Sequence, residues 1–281
     1  MIHRDGNPFD GVPLDADDHA CVDFRFCADP KMRWWFDHHP TAFQPRALKD
    51  VFERSDRSTK FFDPTAPSCA GLILRAVDQG WDWKPPPHLV EAARWAYKID
   101  AALFATAEDA VALVSPAQRL AAWLAHGRSP LDTARYVDWL SRYSLAEVAA
   151  RPEIAEAVRN VEAHRTRELE AIAVLGVWHG HTIVFDRIDD VGARSPGFLG
   201  YLVYPTCLYA VSATRTQFTI KISVGVNPWT TMERKHDIGE LCARFGGGGH
   251  AVVGGITLRG DELARARDTL KQLVVELTRH P

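Results

Sequence analysis

The chain has 281 residues, 46% of them hydrophobic and 25% charged, with a formal net charge of −3 at pH 7. These shares suit a soluble globular protein, no apolar run approaches the roughly 20 residues a membrane helix needs, and about 150 residues per domain predicts two domains with separate cores. The charge gives no global attraction to nucleic acid, which argues against duplex DNA and restricts any nucleic-acid substrate to a local basic groove or a very short strand.

The opening Met1-Ile2-His3-Arg4-Asp5-Gly6 lacks a basic-then-apolar leader pattern, and the expected location is the cytoplasm. Residues 1–19 are polar and turn-rich, with no complete strand or helix in them. Ala20 to Phe26 reads as a short strand with Asp23 in its apolar middle or at its end. An acid there needs a cation, unless it merely caps a turn. After Asp29-Pro30 comes Arg33-Trp34-Trp35-Phe36-Asp37-His38-His39-Pro40, an apolar strand that delivers Asp-His-His to a sheet edge. Open α/β folds place ligands at such edges, although two adjacent histidines can also belong to a plain turn.

Ser68 before Cys69-Ala70-Gly71-Leu72 marks a helix start, a place that binds anions when it does more than cap. From Pro87 the pattern is helical, with Leu89, Ala92, Ala93, Ala96 and Tyr97 on one face and Asp100 following inside an apolar stripe. Further helices are predicted over 117–126, 131–143 and 145–150, interrupted by Gly127 and Pro130, and a longer one over 152–175 that bridges two domains. Beyond Gly176 the texture turns to β, with strands predicted over 182–186, 207–212, 218–224 and 251–258 and helices over 236–244 and 262–279. The five cysteines (Cys21, Cys27, Cys69, Cys207, Cys242) form no CxxC pair and read as buried small hydrophobes.

Arg244-Phe245 leads into Gly246-Gly247-Gly248-Gly249-His250. Four successive glycines cost much chain entropy as a mere linker, so some group must approach the backbone closely or the backbone must take positive φ. A phosphate or a base fits that need, with His250 adding a donor or a cation.

Asp23, then Asp37-His38-His39, then Asp100, then Gly246 to His250 about 210 residues after the triplet together resemble the DHH superfamily of phosphoesterases, over most of the chain. That family includes single-strand exonucleases, nanoRNases that degrade very short RNA, phosphatases of 3′,5′-bisphosphorylated adenosine, cyclic-dinucleotide phosphodiesterases and polyphosphatases. The resemblance implies an α/β protein with a parallel-sheet DHH domain over 1–150, a linker helix over 151–175 and a smaller α/β substrate-binding domain over 176–281. It implies a Mn2+-dependent hydrolase of nucleotides or short single-stranded oligonucleotides. Asp23, His38 and Asp100 would be metal ligands, Asp37 would orient a histidine, His39 would contact the phosphate, and Gly246, Gly247, Gly248, Gly249 and His250 would hold substrate. Two ions about 3.5–4 Å apart would lower the pKa of a bridging water for in-line attack on phosphorus.

Two departures stand out. The family opens with a strand ending in a His-x-Asp-x-Asp motif, which this chain lacks. His3-Arg4-Asp5-Gly6 is a poor substitute, because only 17 residues separate Asp5 from Asp23, whereas an intervening strand–helix–strand unit takes about 30. The expectation is that the first strand, the first helix and one metal's ligands are missing, which leaves a sheet edge that favours dimers. Ser223 to Trp229 also stands where many relatives carry a substrate arginine; Arg215, Arg234 and Lys235 are candidate replacements, though each reads first as a solvated surface charge. The leading reading is a phosphoesterase. A second is a catalytically silent nucleotide-binding protein on the same scaffold, and a third, an unrelated zinc hydrolase, lacks an HExxH pattern.

Overall fold

The computed structural model describes Phe9 and residues 14–125 and 130–279. His3, Asp5 and Gly127, all weighed above, lie outside the described residues. The fold is mixed α/β, with a small parallel sheet and a larger mixed sheet. Two compact units form, one joining Met1–Pro64 to Ile172–Pro281 and the other comprising Thr65–Ala171. This division follows a different line from sequential boundaries at 150 and 175, because both sheets belong to the first unit.

The first unit opens with β1 (His19–Val22) and β2 (Met32–Asp37), followed by α1 (Leu48–Arg54) and β3 (Lys60–Phe62), the three strands being parallel in the order β1-β2-β3. β2 is central because Trp35 and Phe36 fill both of its faces: Trp35 is fully buried among Phe26, Phe43, Phe52 and Phe62, and Phe36 stacks on Phe61. The Trp35 indole N–H donates to Phe24 O at 2.8 Å, so the ring is buried without an orphaned donor. Truncating such a ring to alanine costs about 3–5 kcal/mol. β1 is shorter than the predicted 20–26, because Asp23 has φ +57° and an extended strand cannot continue through that conformation.

The second unit is helical: α2 (Cys69–Gly80), α3 (Pro87–Asp100), α4 (Ala107–Val111), α5 (Pro116–Ala125), α6 (Pro130–Arg142) and α7 (Leu145–Ala149). Ser68 caps as expected, its Oγ accepting from Gly71 N–H at 3.0 Å; proline stands at the start of α3, and Ser144 and Glu147 form a capping box at the start of α7. Leu120, Trp123, Val148 and Ile154 form its core. α8 (Pro152–Leu175) runs across the division between the units.

The remainder of the first unit comprises β4 (Val177–His179), β5 (Thr182–Val191), α9 (Phe198–Val203), β6 (Tyr209–Arg215), β7 (Thr219–Val226), α10 (Ile238–Ala243), β8 (Gly248–His250), β9 (Val253–Arg259) and α11 (Leu263–Arg279). The sheet order is β4-β5-β6-β7-β9-β8, antiparallel except for β5 with β6. Alternation along β6, β7 and β9 sends Val211, Ile220, Ile222, Val224, Ile256 and their neighbours to one face, where they form a continuous core with the apolar sides of α10 and α11. All five cysteines are free and buried, as their scatter predicted. Among the described residues no helix is long and apolar enough to cross a membrane.

Among the described residues β1 pairs on one side only, and Val22 is 52% exposed there. Such an edge templates pairing with a second chain. Light scattering over a wide concentration range is expected to show dimers or larger species that Val22→Lys shifts to monomer. A wild-type chain that stays monomeric throughout would refute this.

Candidate active site

Asp37 closes β2 with its side chain fully buried, and its Oδ1 organises the turn that follows. That oxygen accepts from the His38 N–H at 2.8 Å, the His39 N–H at 3.3 Å and His39 Nδ1 at 2.7 Å. Facing a carboxylate, His39 Nδ1 carries the ring proton and Nε2 is the nitrogen left for other partners. His38 is 2% exposed, and its Nε2 lies 3.2 Å from Asp23 Oδ1. Asp23 reaches it from the end of β1 through its left-handed backbone and an N–H bond to Phe36 O at 2.9 Å. The bond from His38 holds the Asp23 carboxyl below the usual range, burial partly opposing it and the charges of His39, His38 and His250 adding to it.

The third imidazole comes from the far end of the chain. His250 ends β8, with ring centroids 4.4 Å from His38 and 4.5 Å from His39. Burial, reinforced by His39 and His38, pulls its pKa down to about 4, so at neutral pH it is an uncharged imidazole and not the cation the sequence allowed.

The glycines preceding it serve close approach within the protein. Gly249 has φ +146°, and a Cβ there would lie 2.3 Å from Val253 O; a Cβ on Gly248 would lie 2.5 Å from Thr41 Oγ1. The N–H groups of Gly246, Gly247 and Gly249 donate to Ala243 O, Cys242 O and Thr41 Oγ1, and Gln44 Nε2 donates to Gly247 O. The expected open cradle of N–H groups is thus partly committed inside the protein, while the loop is fastened to the segment just after Asp-His-His.

Asp23, Asp37, His38, His39 and His250 are therefore brought together, with Gly246 to Gly249 beside them. Asp100 belongs to the other unit, where it ends α3 and is exposed. The helix stops there, with Ala102 at φ +52° two residues on. Of the candidate substrate cations, Arg215 shares the helix-covered side of β6 with Val211 and Ala213, Arg234 bonds to His236 O, and Lys235 pairs with Glu233. Sequence reasoning missed Lys221, on the opposite side of β7 from Ile220 and Ile222; its Cε lies 3.8 Å from where a Cβ on Gly255 would be. The strict alternation of Thr219-Ile220-Lys221-Ile222-Ser223-Val224 was the signal for that open face.

The donor set fits a divalent cation. One ligand atom from each of His38, His39 and His250 lies within 4.8 Å of the others, as do those of Asp23, Asp37 and His39. Asp37 Oδ2 and His250 Nε2 are buried with no hydrogen-bond partner among the described residues, an arrangement that a cation would relieve. Imidazole and carboxylate without thiolate suit manganese and its first-row neighbours.

No family model matches this chain, and no curated protein sequence matches it. Among solved structures it is similar to a pGpG-specific phosphodiesterase, PggH, from Vibrio cholerae, at 22% identity over 88% of this chain and 80% of that one, with a TM-score of 0.56. It also aligns with an exopolyphosphatase-related protein from Bacteroides fragilis at 16% identity, over 95% of this chain and 73% of that one, with a TM-score of 0.49. The first likeness shows the fold, a two-part α/β architecture.

Because the His250 pKa is depressed from 6.5 to about 4, the unfolded chain binds the proton more readily between those values, and its contribution to stability falls as pH drops through that window. Melting temperatures of the metal-free protein are expected to decline more steeply between pH 6.5 and 4 in the wild type than in His250→Gln. Equal slopes would contradict this.

Proposed function

We propose that this protein is a divalent-metal-dependent phosphoesterase that hydrolyses a phosphoester bond of a nucleotide or short single-stranded oligonucleotide. The observation that carries the reading is the convergence of Asp23, Asp37, His38, His39 and His250 where β1 and β2 end. The shared fold with a pGpG-specific phosphodiesterase supports it, as does the resemblance of the motifs to DHH phosphoesterases.

Asp23 and His38 would hold the cation, manganese being the expected ion, with His250 close enough to join them. When bound, the ion supplies Lewis-acid stabilisation of a phosphoryl oxygen and acidifies a water toward neutrality. Asp37 fixes the His39 tautomer and aims its Nε2 away from the strand, which suits a contact to the substrate phosphate. The neutral His250 can accept or donate a hydrogen bond without adding charge that would repel the cation. Gly246 to Gly249 bring that imidazole to the site.

A second reading, nucleotide binding without turnover, is favoured by one feature: among the described residues only Asp23 and Asp37 supply carboxylates to these clusters, few for a two-ion centre. An assay with manganese on pGpG, a five-nucleotide RNA, 3′,5′-bisphosphoadenosine and polyphosphate separates the two. The expected result is hydrolysis of at least one nucleotide substrate, lowered roughly 10–100-fold by Asp37→Asn, which acts through His39, and at least that much by His38→Ala. Manganese and nucleotide binding without turnover would establish the silent reading, and activity untouched by His38→Ala would refute the site.

A further inference from the structure

The larger sheet has one face under α10 and α11 and another made mostly of small residues, with Val253, Lys221 and His250 among them. Register places Ala210, Gly225, Val253 and His250 in one lateral row across β6, β7, β9 and β8, and Ser212, Ser223, Gly255 and Gly248 in the next. Directly paired residues on antiparallel strands project to the same side, so both rows share the face that carries the His250 imidazole. Neighbouring strands are about 4.8 Å apart, which puts Gly225 about 10 Å from His250, the scale of one nucleoside.

At the β6–β7 end this face forms a cavity of about 220 Å³. Its floor is Ala210, Ser212, Ser223 and Gly225, and its wall is aromatic: Phe185 from β5, and Phe198 and Tyr201 from α9. Trp229 backs the wall, 5.7 Å from Phe198 and 6.2 Å from Tyr201 between ring centroids. Gly225 is required, since a Cβ there would lie 2.5 Å from Tyr201 Oη. The polar groups are hydroxyls, with Ser195 and Ser212 bonded to each other at 2.8 Å, and among the described residues no charged side chain lines the space. A pocket for a drug-sized molecule occupies about 300–1,000 Å³, so this one suits a single ring system.

We propose that this trough is a nucleobase subsite, receiving the uncharged base of the nucleotide whose phosphate lies at the imidazole cluster. The inference rests on the phosphoesterase reading and deepens it. Aromatic walls and a flat floor of glycine, alanine and serine match a planar heteroaromatic ring, stacking supplies the affinity, and the hydroxyls can pair with its edge. Among the described residues that line the trough none is charged, so a charged group has no counter-ion in its lining. The trough lies in the Ser223 to Trp229 region, where the sequence offered no arginine. Recognition at that place thus passes from charge to ring stacking.

Calorimetry with manganese present tests this by comparing guanosine 5′-monophosphate with ribose 5-phosphate, which carries the same phosphate without a base. The nucleotide is expected to bind at least tenfold more tightly. Ser223→Leu, which fills the trough, and Phe198→Ala, which removes its wall, should each bring the affinity ratio towards one, with folding checked by melting. Equal affinity in the wild type, or a ratio unmoved by both variants, overturns the subsite and leaves the phosphoesterase reading standing. Binding of neither ligand overturns that reading and the subsite with it.

Discussion

The Asp37 carboxylate is the constraint on which the site depends. A fully buried carboxylate is costly, and here one oxygen is satisfied three times over by the two backbone N–H groups that follow it and by His39 Nδ1. Those bonds fold the chain back at the end of β2, so that His38 turns to Asp23 on the neighbouring strand while His39 is held in one tautomer. The other oxygen has no hydrogen-bond partner among the described residues, and that residual cost is a reason for the pocket to want a cation. Placement comes from the sheet: β2 is fixed by Trp35 and Phe36 packing on both faces, and the acid sits one residue beyond them.

A second constraint is steric. β8 and β9 approach so closely that side chains on Gly247 and Gly249 would strike backbone oxygens of β9, and a side chain on Gly248 would strike Thr41. The glycines are therefore explained before any ligand is invoked, and what they deliver is His250. Gly255 and Gly225 continue the pattern on the face opposite the core, where Val253 stands between the His250 imidazole and the aromatic wall of α9 and Lys221 reaches over Gly255. The period-two pattern that builds the core beneath α10 and α11 thereby also keeps the opposite face open.

Much of this was legible in the sequence because it is local. The β2 strand with its terminal Asp-His-His, the Ser68 cap and the long helices all follow from periodicity and capping over a few residues. Convergence of His250 with His38 and His39 was legible only through resemblance, since no local rule joins residues so far apart. Two features lay outside what a sequence carries: periodicity does not reveal that α3 stops at Asp100, and no desolvation is written in a sequence to choose between the donor and the cation that His250 allowed. The trough escaped notice because its floor is made of small residues, and most of its wall comes from the short helix α9, which spans only Phe198–Val203.

The fastening between the two halves of the site also says when it can form. Thr41 Oγ1 accepts from Gly249 N–H across 208 residues of chain, and Gln44 reaches Gly247 O across 203. Closing so long a loop costs little more than closing a moderate one, because the entropy grows only as the logarithm of length, but contacts this distant in sequence form late. The helical unit can complete its local contacts while the chain ends are still apart. The imidazole cluster cannot, since His38 and His39 meet His250 only once the small parallel sheet and the β8–β9 edge belong to one body. A divalent ion bound there would strengthen the one junction that local structure does not supply.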